Sequence, residues 1–313
     1  MLRYTARRLL QTIPILLLTS IWVFALLRAI PGDPATVLAG PDATPEMISI
    51  IRRDLALDQP IVVQYGVWLG DILRGDLGTS SSSRRPVADL LGNALPATAQ
   101  LVGVAMAIAL VLGVALGIVA AVRRSWPDLL ITAASSALVG IPGFWLALLG
   151  IIVFALILGW LPPGGRVDPA SDPIEGLRTL ALPALVLGLG QAAVLARFTR
   201  AAMLEVLRDA YIRTAHAKGL APRVVTVRHA LRNALIPIVT VSAIQLGRLL
   251  GGAVVIESVF AWPGIGRLVV DAIAQRDYAV VQAVLLVTVA IFVAVNFVAD
   301  SLYGFVDPRV GRA

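Results

Sequence analysis

Long apolar stretches separated by charged clusters dominate the pattern of this chain. A stretch of about 20 apolar residues, coiled as a helix, is long enough to cross a lipid bilayer. Six such stretches lie at 9–27, 90–122, 129–165, 179–196, 233–256 and 278–299. In the second the strongly apolar part begins near Ala97, and in the third it ends near Trp160. We therefore predict an all-α, polytopic membrane protein with six transmembrane helices.

Composition agrees with this pattern. Hydrophobic residues make up 58% of the chain and charged residues 14%, and the mean hydropathy is +0.87, whereas soluble domains average about 25% charged residues. The net charge of +7 sits mainly at the ends of the apolar stretches, which favours contact with lipid headgroups over nucleic acid. The chain has no cysteine, so disulfides, thiolate metal sites and cysteine nucleophiles are excluded.

The distribution of arginine predicts the orientation in the membrane. Basic residues collect in cytoplasmic loops, and most of them fall on one side if the N-terminus is inside: the arginines before the first helix, Arg123 and Arg124, the basic segment 197–232, and Arg309 and Arg312. Six helices return the C-terminus to the cytoplasm. We interpret residues 1–30 as a retained first transmembrane helix, since no A-x-A cleavage site follows Arg28.

The segment 31–96 lies between the first two apolar stretches and is predicted to be external. Thr44-Pro45-Glu46 carries the signals of a helix start, with a capping residue, a proline and an acid in succession. Residues 61–73 have apolar positions at helical spacing. Gly75 to Gly78 and Ser80 to Ser83 are typical of turns. We expect a small external helical segment with a role in docking or gating.

Several short motifs occur in order along nearly the whole chain. They are Met1-Leu2-Arg3-Tyr4, Pro31-Gly32-Asp33-Pro34, Gly75-Asp76-Leu77-Gly78, Leu95-Pro96-Ala97-Thr98, Leu161-Pro162-Pro163-Gly164-Gly165, the stretch 211–219, and Glu257-Ser258-Val259-Phe260 followed by Trp262-Pro263-Gly264-Ile265-Gly266. Together they resemble the inner-membrane permease subunit of binding-protein-dependent ABC importers, specifically the B-type subunit of the dipeptide and oligopeptide family. The resemblance implies a type I importer permease fold, in which residues 97–313 form the permease core.

The same resemblance implies the partners. They are a homologous second permease subunit, two cytoplasmic ABC ATPases that hold ATP and Mg²⁺, an extracytoplasmic peptide-binding protein, and membrane lipid. No cofactor and no catalytic residues are expected in this chain: the phosphate-binding pattern G-x-x-x-x-G-K-[ST] is absent, because Lys218, the only lysine, is followed by Gly219 and Leu220. The chain is therefore predicted to be a transport subunit of a bacterial inner membrane and not an enzyme.

In this family a cytoplasmic loop with an acid, two alanines and a glycine forms a coupling helix that sits in a groove of the ATPase. The corresponding loop here is 200–232, and its aligned stretch, Arg213 to Gly219, lacks the acid. The residues predicted to contact the ATPase are Leu207, Tyr211, Arg213, Thr214, Ala215, His216, Ala217, Lys218 and Gly219. From the residues alone, a helix lying on the membrane surface is an equal alternative.

Spacing suggests how this coupling segment is built. Leu204, Leu207, Tyr211 and Ala215 fall three or four residues apart, which predicts one face of a helix over 207–220. Small Ala215 and Ala217 are expected to permit close approach of a partner. Gly219 is predicted to take the left-handed conformation that ends a helix, and Pro222 to begin the next one.

The translocation path is predicted near the fifth apolar stretch. Arg248 lies within it, and a charge at that depth is expected to face a cavity or a partner. Since peptides carry carboxylates, we expect Arg248, Gln245 and Glu257 to lie on the path, with a structural ion pair to the partner permease as the alternative. Trp262, Pro263 and Gly264 are expected to form an outer gate. Pro142-Gly143 predicts a kink in the third helix.

Two alternatives to peptide import remain open on the sequence. Nickel and glutathione permeases share much of the motif pattern, so nickel, glutathione or haem could be the substrate. An ion-coupled secondary transporter is less favoured, because that class carries acids inside its spans and inverted repeats. Here Glu257 and Asp300 lie at the ends of apolar stretches.

Overall fold

The computed structural model describes residues 2–28, 34–39, 43–54, 57–123 and 125–306. Within these ranges the regular structure is helical, apart from one isolated bridge between Thr79 and Pro86. The helices are α1 (Leu2–Arg28), α2 (Pro34–Ala39), α3 (Pro45–Asp54), α4 (Ile61–Leu73), α5 (Val87–Val122), α6 (Trp126–Gly140), α7 (Gly143–Gly150), α8 (Pro173–Val206), α9 (Ala210–Ala217), α10 (Pro222–Val224), α11 (Arg232–Val259), α12 (Ile265–Ala274) and α13 (Tyr278–Val306). Two π-helical stretches, Ile151–Ile157 and Val225–Leu231, continue α7 and join α10 to α11.

Four of the described helical runs are long and apolar enough to cross a membrane. They are Val87–Val122, Pro173–Val206, Pro222–Val259 and Tyr278–Phe297. The α6–α7 pair provides a fifth span if its two halves are counted together. Among the residues of α1 whose side chains the structure describes, Thr12–Ala25 form a shorter apolar section. The predicted all-α polytopic fold is confirmed, while the sixth span stays a prediction.

The third predicted span is broken and not merely kinked. α6 ends at Gly140, and Ile141 and Pro142 are extended, with ψ of 126° and 134°. The segments on either side, Trp126–Gly140 and Gly143–Ile157, meet at an angle of 103°. Proline at position 142 disfavours the α conformation of Ile141 and cannot donate a backbone hydrogen bond, so the helix ends here and restarts at Gly143.

The described chain divides into two compact units, and the division falls inside α5 and α13. In the larger unit, which contains Thr98–Trp262, glycines allow α5 and α8 to pack closely. A Cβ added at Gly117 would lie 2.5 Å from the Cβ of Thr199, and one at Gly188 would lie 2.7 Å from the backbone oxygen of Ala105. Small residues of this kind bring transmembrane helices together by allowing backbone contact.

The smaller unit combines Leu2–Ala97 with Pro263–Ala294. Its core joins the start of α5 to α12 and the start of α13, as Val87 and Leu91 pack in one buried cluster with Ile265, Ala272 and Val280. The sequence assigns 97–313 to the permease core. Within that range, buried residues of α12 and of the start of α13 pack against α5 residues that precede position 97.

In the segment predicted to be external, the described helices α3 and α4 begin where the sequence predicts them. α3 begins at Pro45, and the backbone nitrogen of Met47 donates to Thr44 Oγ1 over 3.3 Å. α4 packs its aromatic residues against α1: the rings of Tyr65 and Trp68 lie 5.4 Å and 5.3 Å from that of Phe24. These contacts fix α4 on the first helix.

A buried carboxylate ties the serine-rich turn to the start of α13. Asp277 is 1% exposed, and its Oδ2 accepts hydrogen bonds from Ser80 Oγ at 2.5 Å and from Ser82 Oγ at 2.9 Å. The other oxygen, Oδ1, accepts from the backbone nitrogen of Val280 at 3.4 Å. Burial pushes the pKa of Asp277 upward, but these hydrogen bonds outweigh burial and lower it below its ordinary value.

Some sequence predictions fall on residues whose structure is not described. The motif residues Pro31, Gly32 and Asp33 lie outside the described ranges, as do Arg124, Arg309 and Arg312.

Candidate functional site

The segment predicted as one helix over 207–220 is interrupted at its start. α8 ends at Val206, and α9 begins only at Ala210. Between them Asp209 is extended, with ψ of 150°. The predicted single helix over 207–220 is therefore wrong. Leu204, Leu207 and Ala215 still pack in one apolar cluster, as one face would, but Tyr211 is exposed and does not join it.

α9 has one face buried in this chain and one face open. Ile212 and Ala215 are 2% and 6% exposed, and they pack in a cluster with Met203 of α8 and Val225 of the π-helical stretch. The expectation that Ala215 admits a partner is wrong, since this chain itself covers it. Leu207 is half-buried against the same cluster. Of the residues predicted to contact the ATPase, those exposed are Tyr211, Arg213, Thr214, His216, Ala217, Lys218 and Gly219.

The C-terminus of α9 forms a Schellman motif. The backbone nitrogen of Gly219 donates to the oxygen of His216 over 2.9 Å, and that of Leu220 donates to the oxygen of Ala215 over 3.3 Å. Gly219 has φ of +78°, in the left-handed region that glycine adopts without strain. Pro222 then begins α10. The predicted helix stop and restart are both confirmed.

Tyr211 joins α9 to the next transmembrane run. Its hydroxyl accepts a hydrogen bond from Asn233 Nδ2 at 2.6 Å and donates one to the backbone oxygen of His229 at 3.3 Å. Asn233 lies in the first turn of α11. α9 thus contacts α11 and the π-helical stretch before it through these hydrogen bonds as well as through the apolar cluster.

An ion pair links the N-terminal turn of α6 to α8. Arg200 Nε lies 2.6 Å from Asp128 Oδ1, and Arg200 Nη2 lies 2.7 Å from Asp128 Oδ2. This bidentate arrangement is the strong form of an arginine–carboxylate contact. Because Arg200 lies less than two turns before the end of α8 at Val206, the pair connects the broken span to the helix that leads into α9.

Arg248 lies beside a groove of about 350 Å³ in the larger unit. The groove is lined by the hinge of α6 and α7, by Gln191 of α8 and by one side of α11. Gln245 is 1% exposed, and its Nε2 donates to Gln191 Oε1 over 2.6 Å. Arg248 thus borders this groove, while Gln245 reaches it only through Gln191.

Glu257 lies in the interior of the larger unit. It is 0% exposed, and Thr98 Oγ1 donates to its Oε1 over 2.6 Å. It shares α11 with Arg248, which is exposed, so the two lie on different sides of that helix as their spacing predicted. In this structure the carboxylate of Glu257 is buried within the chain and not open to a path.

The three predicted gate residues have different environments. Trp262 is 0% exposed, its backbone nitrogen donates to the oxygen of Glu257 over 2.8 Å, and the guanidinium carbon of Arg166 lies 5.8 Å from its ring centre. Within the smaller unit, exposed Pro263 and buried Gly264 precede α12 and line a second groove of about 250 Å³.

Sequence reasoning missed several polar contacts around these residues. The missed side chains are Gln191, Thr98, Asp128, Arg200 and Asp277. One signal was available, since polar side chains inside apolar stretches are costly and usually paired. Their partners could not be found, because Gln191 and Gln245 are 54 positions apart and meet only through the packing of α8 on α11.

Two family descriptions match the chain over nearly its full length. "Binding-protein-dependent transport system inner membrane component" matches residues 113–312, and the corresponding N-terminal description matches residues 1–102. Among solved structures, the chain resembles a permease chain from "Inward facing conformations of the MetNI methionine ABC transporter", with a TM-score of 0.59 and 21% identity over 70% of this chain and 96% of that one. At this identity the likeness shows the fold, which is that of a type I ABC importer permease.

Named relatives are more similar in sequence. A putative peptide transport system permease protein of Brucella suis is 45% identical over 97% of both chains. A dipeptide transport system permease protein of Alkalihalophilus pseudofirmus and a glutathione transport system permease protein of Escherichia coli K12 are each 43% identical over 99% of both chains. With these matches, the chain belongs to the family of inner-membrane permease components of binding-protein-dependent ABC importers.

Proposed function

We propose that this chain is the transmembrane permease subunit of an ATP-driven importer that moves peptides across a bacterial inner membrane. The observation that carries this proposal is the similarity, over 97–99% of both chains, to permeases named for peptides, dipeptides and glutathione. Glutathione is itself a small peptide, so the substrates in all three names are peptides. A glutathione permease is the second candidate, favoured by the relative from Escherichia coli.

The proposed assembly contains a second, homologous permease subunit, two cytoplasmic ATPases that bind ATP and Mg²⁺, and an extracytoplasmic binding protein. In this assembly both termini and the basic segment 197–232 are cytoplasmic. The excess of arginine in that segment supports the orientation, because basic loops are retained inside. The external segment 31–96 and the gate residues Trp262, Pro263 and Gly264 then face the binding protein.

We assign the coupling role to the exposed side of α9. Its exposed residues, Arg213, Thr214, His216, Ala217 and Lys218, are proposed to contact a groove of the ATPase. The buried side, with Ile212 and Ala215 in a shared cluster, supports this role because it transmits displacement to α8 and α11. The ATPase shifts the permease between inward-open and outward-open states only by binding α9 with different affinity in each.

The path for the substrate is proposed to follow the groove beside Arg248. α8 and α11 both border this groove and both connect to the coupling segment, which supports a link between ATPase closure and the shape of the groove. The break at Pro142 gives α6 and α7 a point at which to change their angle. Gln245 and Glu257 then position neighbouring groups beside the path.

Uptake by the reconstituted complex tests the proposal. The complete complex in liposomes, supplied with the binding protein and a labelled dipeptide, is expected to accumulate the peptide only when ATP is enclosed with the ATPases. Labelled glutathione in a parallel series distinguishes the second candidate. Accumulation driven by a proton or sodium gradient without ATP would contradict the proposal.

A further inference from the structure

Arg248 carries a charge at a depth where the membrane offers it no partner. It lies eleven residues before Val259, the end of α11, which is about 16 Å along the helix axis. The hydrocarbon core of a bilayer is about 30 Å thick, so this position is close to its middle. A charge there is costly unless it faces a cavity or an opposite charge.

No such opposite charge comes from the described part of this chain. Among residues 2–28, 34–39, 43–54, 57–123 and 125–306, none makes a hydrogen bond or an ion pair with Arg248, whose side chain borders the groove. The guanidinium group has five N–H donors and no acceptor. An anion with acceptor oxygens that comes from another molecule would therefore complement it.

Gln191 adds a second donor to the same groove. Its Oε1 accepts the hydrogen bond from Gln245, which leaves the amino group of Gln191 to donate. Gln245 is buried and lines no part of the groove, so its effect is to fix the amide of Gln191. The two polar side chains that line the groove, Arg248 and Gln191, thus both offer donors, and they are set among apolar residues such as Phe144 and Val255.

We propose that this groove is a subsite for the carboxylate of the transported peptide. Arg248 binds the carboxylate through two N–H groups, Gln191 donates a further hydrogen bond, and Gln245 is a positioning residue for Gln191. The inference rests on the proposed function, since it requires a peptide substrate. The groove volume of about 350 Å³ lies within the usual range for small-molecule sites, about 300–1,000 Å³.

The hinge gives the subsite a way to release its ligand. Ile141, Gly143 and Phe144 border the groove at the break between α6 and α7. A change in the angle of this break moves Phe144 relative to Arg248 and so changes how closely the groove fits a carboxylate. A lipid phosphate is a poorer fit at this depth, because headgroups lie at the surfaces of the bilayer and not near its middle.

Uptake of a matched pair of peptides tests this subsite. We compare alanylalanine with alanylalaninamide, which keeps the amino group and lacks the carboxylate, and we measure the affinity of the binding protein for each separately. The complete complex is reconstituted as wild type, Arg248→Gln and Arg248→Lys, with Arg178→Gln as a matched control. Arg178 is half-exposed, pairs with Glu175 at 3.0 Å and lies outside the groove.

Arg248→Gln is expected to reduce the uptake of alanylalanine about tenfold or more, the size expected when a hydrogen bond to a charged group is lost. Its uptake of alanylalaninamide is expected to match the wild type. Arg248→Lys should recover part of the alanylalanine rate, and Arg178→Gln should transport both peptides normally.

Three results would overturn the subsite. An equal loss for both peptides would mean that Arg248 does not recognise the carboxylate. Separation of the two permease subunits in Arg248→Gln would assign the arginine to an acid of the partner permease. If the wild-type complex takes up neither peptide, the proposed peptide substrate is wrong. This result can be told apart from failure of the subsite, because it appears before any variant is made.

Discussion

At the scale of single residues, conformational requirements decide where α9 ends. Gly219 has a positive φ, and open space surrounds the position of a Cβ. A side chain at this residue is therefore restricted by the backbone conformation and not by lack of space. Replacement by valine costs about 1–2 kcal/mol in the left-handed region, whereas asparagine visits that region routinely. The two substitutions therefore separate backbone strain from the loss of glycine as such.

Gly219→Val is expected to insert normally but to lower the amount of peptide transported per ATP hydrolysed by several-fold. The strained turn opens the Schellman motif and displaces the exposed face of α9. Gly219→Asn should stay close to the wild type. The measurement is peptide accumulation and phosphate release in the same liposomes, and a wild-type ratio in Gly219→Val would contradict the coupling assignment.

The lowered pKa of Asp277 predicts how the stability of the protein depends on pH. Because its native pKa is lowered, its stabilising effect is complete above the ordinary pKa of 3.8 and is lost as the pH falls through the lowered native value. Asp277→Asn should destabilise the protein by about 1–3 kcal/mol at neutral pH, since the amide cannot accept every hydrogen bond that the carboxylate accepts.

Thermal unfolding of the purified protein between pH 7 and pH 3 measures this effect. The difference between wild type and Asp277→Asn should be constant near neutrality and should shrink at the acid end. Ser258→Ala, which removes only a hydroxyl that donates to the backbone of its own helix, is the control. A difference that grows towards low pH would contradict the role given to the carboxylate.

At the scale of elements, close contact between α5 and α8 holds the larger unit together. Gly117→Ala would place a Cβ 2.5 Å from that of Thr199, while the Cβ of Gly103→Ala on the same helix meets nothing within 4 Å. The first change should destabilise the protein by about 1–3 kcal/mol. The second should be neutral or stabilise by up to about 1 kcal/mol, because alanine favours the helix.

Unfolding midpoints in one detergent compare these two alanine variants directly. Equal midpoints for Gly117→Ala and Gly103→Ala would show that the contact between α5 and α8 is not close in the folded protein.

Some helices could be predicted from the sequence, and others could not. α4 is found at the predicted residues, Ile61–Leu73, since its apolar spacing is set locally and Gly75 ends it. The break at Asp209 was missed because the residues around it favour helix, and only the burial of Ile212 and Ala215 decides the new register. Likewise the kink at Pro142 was predictable, whereas its angle of 103° depends on packing against α8 and α11.

At the scale of the whole molecule, the candidate site divides into predictable and unpredictable parts. Arg248 was found because a charge within an apolar stretch is conspicuous. Gln191 was not found, since its importance comes from contact with Gln245 across two helices. The segment 207–220 was proposed for coupling because its motif resembles that of the family. Which of its residues are exposed follows only from packing, which buries Ala215 and exposes His216.

The proposed function depends most on contact between the exposed face of α9 and an ATPase in the cytoplasm. The natural absence of cysteine makes single-cysteine variants straightforward. His216→Cys, exposed on α9, is compared with Arg178→Cys, which is half-exposed at the predicted outer end of α8. In inverted membrane vesicles that contain the complete complex, an impermeant maleimide and a short bifunctional cross-linker are applied to both variants.

We predict that His216→Cys is labelled by the maleimide in inverted vesicles and cross-links to the ATPase subunit, and that Arg178→Cys does neither. Two results would contradict this contact. In the first, His216→Cys is labelled only in right-side-out vesicles. In the second, His216→Cys is accessible but never cross-links to the ATPase in the assembled complex.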